Sequence, residues 1–156
     1  MKTQSSNITL KSNAASGKKF GIVKSLWNST ITTRLYEGCY HTLLTYGVKK
    51  KDIITLEVPG SFELIYGSKK ILEKSKLDAV IVIGSIIKGE TPHFGFISQS
   101  ISNGIKDLNI LFDTPFLFCV STDLNIEQAM DRSGGKLGNK GTDCAIAAIQ
   151  LLKNIA

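Results

Sequence analysis

Residues 79–83 read Ala79-Val80-Ile81-Val82-Ile83, a run without a single polar side chain. A strand of this kind is typical of a parallel sheet, in which helices cover both faces and bury every residue. Shorter apolar segments at residues 20–23, 53–58 and 116–120 predict three further strands. Working outward from the central run, the sequence therefore predicts four strands spread along the chain.

Segments with helical features separate these strands. The clearest has apolar side chains at every fourth position: Ile31, Leu35, Cys39 and Leu43. This spacing predicts a helix over residues 31–46, ended by Gly47. Ser61 is the predicted cap of a second helix, a third runs to about residue 108, and Asn125 or Asp123 caps a fourth. A glycine-rich connection at 134–141 precedes an alanine-rich last helix.

Alternating strands and helices predict an α/β fold, a three-layer αβα sandwich around a central four-stranded parallel sheet. The length of 156 residues suits one domain, which we assign to residues 18–156. Residues 1–17 are polar and are predicted to form a flexible N-terminal arm. Within that arm, Ile8-Thr9-Leu10 could extend the sheet as an edge strand, including the sheet of a neighbouring subunit.

Composition argues against several classes of protein. The net charge of +6 comes from lysines in scattered pairs, which is typical of solvated surfaces, so we predict no nucleic-acid partner. No apolar run approaches the ~18 residues that cross a bilayer, and the start lacks a secretory signal, so we expect a cytoplasmic protein without membrane contact. Three cysteines in apolar contexts indicate buried free thiols, and two histidines without ligand spacing indicate no metal site.

Candidate site residues follow from the fold, because ligands of open parallel sheets bind beyond the carboxyl ends of the strands. Residues 27–29, 60–63, 84–93 and 121–122 occupy those positions. His93 is the natural proton carrier near neutral pH, although a lone histidine is often structural. Gly89 and Thr91 precede it in a turn that could bind an anion at a helix N-terminus or simply cap that helix.

Four other side chains could contribute to a binding site. Arg132 and Lys140 flank the glycine-rich connection and could bind a phosphate, or they are a helix-terminal cation and a surface lysine. Trp27 could stack on a planar heterocycle. Glu63 could bind a polyol or complement a helix dipole. The chain has no Gly-x-Ser-x-Gly elbow and no dinucleotide fingerprint after the first strand.

Taken together, four motifs resemble those of the lumazine synthase family. They are Val58-Pro59-Gly60-Ser61-Phe62-Glu63, Gly84-Ser85-Ile86-Ile87-Lys88-Gly89-Glu90-Thr91-Pro92-His93, Ile126-Glu127-Gln128-Ala129-Met130-Asp131-Arg132 and Gly138-Asn139-Lys140-Gly141. They occur in order and without large gaps between about residues 20 and 152, which makes a chance resemblance very improbable.

The resemblance implies the penultimate step of riboflavin biosynthesis. The two small-molecule substrates would be 5-amino-6-(D-ribitylamino)uracil and 3,4-dihydroxy-2-butanone 4-phosphate, and no cofactor or metal would be needed. The products would be 6,7-dimethyl-8-ribityllumazine, phosphate and water. It also implies homo-pentamers with active sites between neighbours, alone or assembled into particles of ten or sixty subunits.

On the pyrimidine side, the resemblance gives each residue a role. Trp27 would stack on the pyrimidine ring, and Phe118 would come from across a subunit boundary. The residues that hold the substrate and its ribityl chain would be Ser61, Phe62 and Glu63. Those along the pyrimidine edge would be Ser85, Ile86 and Ile87.

On the phosphate side, the resemblance places Glu90 and Thr91 near the phosphate group. Arg132 would bind that group, and Lys140 would be the cation beside it. His93 would donate and accept the proton.

Two other functions remain open from the residues. Some relatives bind flavins or serve mainly as hollow shells, which would make this fold a binding or structural module. A phosphosugar isomerase would need a second carboxylate or histidine in the site, and only Glu63 and Glu90 are available.

Overall fold

The computed structural model describes residues 9–156. The helices are α1 (Ser29–Thr45), α2 (Leu64–Lys74), α3 (His93–Leu111), α4 (Ile126–Arg132) and α5 (Lys140–Asn154). The strands are β1 (Phe20–Ser25), β2 (Ile53–Val58), β3 (Ala79–Ile87), β4 (Phe116–Asp123), β5 (Ser133–Gly135) and β6 (Gly138–Asn139). One turn of 3₁₀-helix, Lys50–Asp52, leads into β2.

The first four strands form one parallel sheet in the order β2-β1-β3-β4. The register pairs Phe20 of β1 with Ile53 of β2 and with Ala79 of β3, so the carboxyl ends of the strands lie at one edge. The predicted four-stranded parallel sheet is therefore confirmed. The central strand β3 is longer than its apolar core suggests, because Gly84 to Ile87 continue to pair with Val120 to Asp123 of β4.

Alternate residues of the sheet enter two separate cores. Ile81 packs with the buried faces of α1, α4 and α5, whereas Val80 and Val82 pack with α2 and α3. The inner face of α1 carries Leu35 and Leu43, as the fourfold spacing predicts. Both faces of the sheet are thus covered, which confirms the three-layer αβα sandwich.

The helix ends agree with the sequence in part. Asn125 caps α4, since its side chain accepts a hydrogen bond from the Gln128 N–H, and Gly47 follows α1 with a left-handed φ of 94°. The prediction that Ser61 caps α2 is wrong. The helix begins at Leu64 after Glu63, without a side-chain cap. The Ser61 hydroxyl instead points to the carbonyl oxygen of Ser85.

The glycine-rich connection is an ordered hairpin rather than a plain loop. Strands β5 and β6 pair antiparallel, with Ser133 opposite Asn139. Asn139 then caps α5, as its side chain accepts hydrogen bonds from the N–H groups of Gly141 and Thr142. This pairing brings the end of α4 and the start of α5 together.

Of the proposed N-terminal edge strand, Ile8 lies outside the described residues, and Thr9 and Leu10 are in no strand. Residues 12–17 form turns, and Ala15 among them is buried against the core. Its N–H donates to the Tyr46 carbonyl oxygen at 2.9 Å. The mobility predicted for the arm stays a prediction.

Candidate active site

The loop after β1 holds Trp27 against the end of β2. The N–H of Trp27 donates to the Pro59 carbonyl oxygen at 3.0 Å, and the indole is 68% exposed. A Cβ on Gly60 would lie 2.7 Å from the indole ring, so this approach requires glycine. The Gly60 N–H donates to Glu63 Oε2 at 2.8 Å. The structure therefore brings Trp27, Gly60 and Glu63 together, and Phe62 beside them is 52% exposed.

The carbonyl oxygen of Ser85 connects this loop to the central strand. The Asn28 side-chain amide donates to that oxygen at 2.9 Å, and the Ser61 hydroxyl makes a longer hydrogen bond of 3.5 Å. Asn28 adopts a left-handed backbone (φ 55°), which asparagine tolerates better than most residues. The segments that follow β1 and β2 thus meet β3 at one backbone oxygen atom. The Ser85 side chain is buried.

Asn28 lies in the candidate segment at residues 27–29, but the sequence predicted no role for it. Its only signal was position, since it follows Trp27 directly after a strand, and the partner lies 57 residues further along the chain. The hydroxyl of Ser85 has no hydrogen-bond partner among the residues described. Ile86 and Ile87, which complete β3, are half-buried.

The turn after β3 is open to solvent. Glu90, Thr91 and His93 are all exposed, and His93 is the first residue of α3. The free N–H groups at the start of this 19-residue helix create a positive potential there. The turn is anchored at its base by the Lys88 N–H, which donates to the Asp123 carbonyl oxygen at 2.9 Å.

Asp123 also connects the turn to Arg132. The Asp123 carboxylate is 2% exposed and lies 3.6 Å from Arg132 Nη1, which also donates to the Gln128 carbonyl oxygen at 3.2 Å. The Ser121 hydroxyl donates to the same carboxylate. Sequence reasoning considered Asp123 only as a helix cap, although its place at the end of β4 was a signal for a site residue.

Lys140 leaves the hairpin at the same end as Arg132, because Ser133 and Asn139 are paired between them. Its amino group lies 2.8 Å from the Asp143 carboxylate. The hairpin therefore brings the backbone positions of the two cations together, while their side chains contact different carboxylates.

Phe118 lies apart from the other candidates. It pairs with Val82 of β3, partway along the edge strand β4. Asp123, at the carboxyl end of β4, lies five positions further along the chain. That separation is roughly 17 Å at the usual rise of about 3.3 Å per residue. Its ring is 41% exposed, so within one chain it does not reach the Trp27 loop.

Two surface pockets lie elsewhere on the molecule. One of about 390 Å³ lies between α1 and the β5–β6 hairpin, lined in part by Arg34, His41 and Asn139. Another of about 190 Å³ lies beneath residues 14–18 and the end of α5. Neither of these two pockets is lined by a predicted site residue.

Two further features concern residues 9–156 as a whole: the hydropathy of the helices and the arrangement of side chains that could bind a metal. No helix in this range is both long and apolar enough to cross a membrane. Within the same residues, no group of three or more His, Cys, Asp or Glu side chains is arranged to hold a metal ion.

Comparison with known proteins agrees with this geometry. The family model for 6,7-dimethyl-8-ribityllumazine synthase matches residues 17–156. The synthase of that name from Flavobacterium johnsoniae is 55% identical over 133 residues, which cover 85% of this chain and 70% of its own. The Christiangramia forsetii synthase is 52% identical, covering 85% and 80% of the two chains. For the Bacteroides fragilis synthase the identity is 47%, with 86% and 94% covered. The chain belongs to the 6,7-dimethyl-8-ribityllumazine synthase family.

Proposed function

We propose that the strand ends around Ser85 and the turn at residues 88–93 form the active site for the family's reaction. In that reaction, 5-amino-6-(D-ribitylamino)uracil condenses with 3,4-dihydroxy-2-butanone 4-phosphate, a step of riboflavin biosynthesis. The observation that carries the proposal is the meeting of Asn28, Ser61 and Ser85 at one carbonyl oxygen. That meeting point supports the proposal because the exposed indole of Trp27 and the Glu63 carboxylate lie on the loops that converge there, and the turn at residues 88–93 follows the same central strand.

The pyrimidine substrate fits the side of the site formed by Trp27. A planar ring stacked on the exposed indole would cover apolar surface, and Phe62 offers a second aromatic face. The Gly60 N–H holds Glu63 Oε2, which leaves the other carboxylate oxygen for the hydroxyls of the ribityl chain. The unpartnered Ser85 hydroxyl would gain a partner from a ring polar atom, which removes the cost of a buried unsatisfied group.

The phosphate substrate fits the other side. Glu90 and Thr91 lie at the N-terminus of α3, where backbone N–H groups and the helix dipole favour an anion. Arg132 supplies a planar cation, and Lys140 a second positive charge at the same end of the hairpin. The buried Asp123 carboxylate orients Arg132 and keeps it beside the turn.

The chemistry needs few specialised groups. An aromatic amine attacks a ketone, phosphate leaves, and ring closure releases water. Because amines and ketones condense readily once they are held together, positioning supplies much of the rate enhancement. His93, at the start of α3 and exposed, is placed to carry the proton between these steps.

The direct test follows the fluorescence of the lumazine product after both substrates are mixed with the protein. We expect the wild-type chain to exceed the spontaneous background clearly. His93→Ala should retain measurable turnover, reduced about 10²-fold, since general acid–base catalysis contributes at least that much. His41→Ala is the matched control, because His41 is exposed on α1 and lies away from the site. A wild-type rate equal to the background would refute the proposal.

A neighbouring subunit completes the site in this proposal. Phe118 lies too far along β4 to reach the Trp27 loop of its own chain, and the site aromatics are all exposed. Helix α3 presents further apolar surface, since Phe96 and Ile110 are both 72% exposed. These two residues are fourteen positions apart and share one face of the helix. We therefore infer that the chain assembles with copies of itself, and the family resemblance favours a homo-pentamer or a multiple of it.

Light scattering tests this assembly. A pentamer of 17.0 kDa chains has a mass of about 85 kDa, and larger particles would have multiples of that value. Ile110→Asp should dissociate the assembly and abolish activity, because it places a charge in the buried contact. Ile155→Asp, at an exposed apolar residue of the C-terminus, is the control and should leave the mass unchanged. A wild-type mass of one chain would contradict the inference.

A cytoplasmic location is also part of the proposal. Its support is the state of the three cysteines, which are all free thiols. Free thiols are the norm in reducing compartments.

A further inference from the structure

Three cysteines that are far apart in the sequence meet in one part of the core. Cys39 lies on α1, Cys119 on β4 and Cys144 on α5, and all three contribute to the core on the same face of the sheet. Cys39 and Cys119 are buried, whereas Cys144 is partly open to solvent. The active-site proposal uses none of these thiols.

Cys144 and Cys119 are the pair in closest relation. The Cys144 thiol donates to the Phe118 carbonyl oxygen at 3.5 Å, and that carbonyl group is bonded to the nitrogen of Cys119. The side chains of Cys119 and Cys144 enter the same core from facing elements, β4 and α5. A partly solvent-open cysteine whose sulfur reaches the peptide group of a second, buried cysteine is a candidate for a reversible disulfide with it.

We propose that Cys119 and Cys144 form a disulfide when the protein meets a hydroperoxide, and that this cross-link between β4 and α5 lowers enzyme activity. The cross-link rests on the contact of Cys144 with the peptide group that joins Phe118 to Cys119, and it does not depend on the enzyme's activity. The loss of activity rests on the proposed function, because Phe118 adjoins Cys119 and Lys140 lies one helical turn before Cys144.

The chemistry balances without a metal or cofactor. The Cys144 thiolate attacks one peroxide oxygen, so that an S–O bond forms and the O–O bond breaks, and the leaving oxygen takes a proton. Cys119 then attacks the oxidised sulfur of Cys144, the S–O bond breaks, and the departing hydroxide takes the Cys119 proton as water. Overall, two thiols and a hydroperoxide give a disulfide, an alcohol (water for hydrogen peroxide itself) and one water.

The electrostatic environment supports the order of these steps. The hydrogen bond with Cys119 lowers the pKa of Cys144, and the Lys140 charge adds to that effect, against burial and Asp143. The same hydrogen bond raises the pKa of Cys119, and burial raises it further. Burial also raises the pKa of Cys39 well above its usual range. Cys144 is also the thiol that is partly open to solvent, so the proposal assigns it as the nucleophile, the buried Cys119 as the resolving thiol and the buried Cys39 as the unreactive neighbour.

The test treats the intact assembled protein with hydrogen peroxide and locates the cross-link by peptide mapping without reduction. We expect one disulfide, Cys119–Cys144, with a mass loss of about 2 Da per chain. Activity should fall about tenfold, since small displacements near a site are costly, and a thiol reductant should restore it. A cross-link joining Cys39, or no intramolecular cross-link, would overturn the proposed site. The expected cross-link without a fall in activity would overturn its effect on the enzyme.

Three variants sharpen the result. Cys119→Ser and Cys144→Ser should each prevent the cross-link and its inhibition, whereas Cys39→Ser is the matched control and should remain sensitive. Circular dichroism and activity before oxidation check that each variant folds, and the peptide map of the wild-type protein stands without them. Inhibition of Cys144→Ser by peroxide to the wild-type extent would contradict the proposal. If the synthase activity itself proved absent, the peptide map would still decide the cross-link.

Discussion

Arg132→Ala should raise the KM for 3,4-dihydroxy-2-butanone 4-phosphate about 10²-fold, which corresponds to ~2.7 kcal/mol of lost binding. The guanidinium group is partly exposed beside the buried Asp123, whose carbonyl oxygen accepts a hydrogen bond from Lys88 at the base of the turn. Its loss removes the charge-assisted hydrogen bonds to the phosphate. The KM for the pyrimidine should change little, because Trp27 and Glu63 lie at the other end of the site. Steady-state kinetics with each substrate varied in turn measure both values.

Two further variants separate phosphate binding from other effects of this change. Arg132→Lys keeps the charge but loses the planar fork, so an intermediate KM is expected. Lys136→Ala removes an exposed positive charge from the same hairpin and should leave both KM values near those of the wild type. A urea titration of Arg132→Ala is needed as well, since the change leaves Asp123 buried with the Ser121 hydroxyl as its remaining side-chain partner among residues 9–156. An unchanged KM for the phosphate substrate would exclude Arg132 from phosphate binding.

Gly141→Ala should destabilise the fold by about 3 kcal/mol or more, the upper end of the usual cost of overpacking. A Cβ on Gly141 would overlap the Leu35 carbonyl oxygen and lie 2.7 Å from its carbonyl carbon. Both atoms belong to the backbone of α1, so no side-chain rotation can relieve the overlap. The change would force α5 away from α1 and open the core around Ala145 and Ala148. Urea unfolding, followed by circular dichroism, measures the loss directly.

The control variant for this prediction changes a residue of the same helix. Ala147→Ser is at an exposed position of α5 and should change the free energy of unfolding by no more than about 0.5 kcal/mol. Assembly adds stability to both variants, so the two must be compared at the same protein concentration. Equal unfolding midpoints for the two variants would show that the α1–α5 contact is less rigid than the structure indicates.

Much of the architecture was predictable because its signals are local. The apolar run at 79–83 identified a doubly covered strand, and the fourfold spacing on α1 identified its buried face. Because the strands alternate with helices, a parallel sheet is expected. The segments at residues 27, 60–63 and 84–93 follow its strands and are therefore expected at its carboxyl edge. The family motifs added roles for individual residues in those segments, and those roles remain predictions for His93, Arg132 and Phe118.

The tertiary structure alone decided which groups meet. Asn28 and Ser85 are 57 residues apart, and their hydrogen bond joins a side chain to a backbone carbonyl, which any residue possesses. The same holds for Lys88 and Asp123, whose contact depends on the register of β3 with β4. Cys119 and Cys144 likewise lie on different elements, and no spacing along the chain relates them. A sequence displays the periodicity of each element, whereas pairing between elements depends on packing and register, which emerge only when the sheet and its helices are assembled.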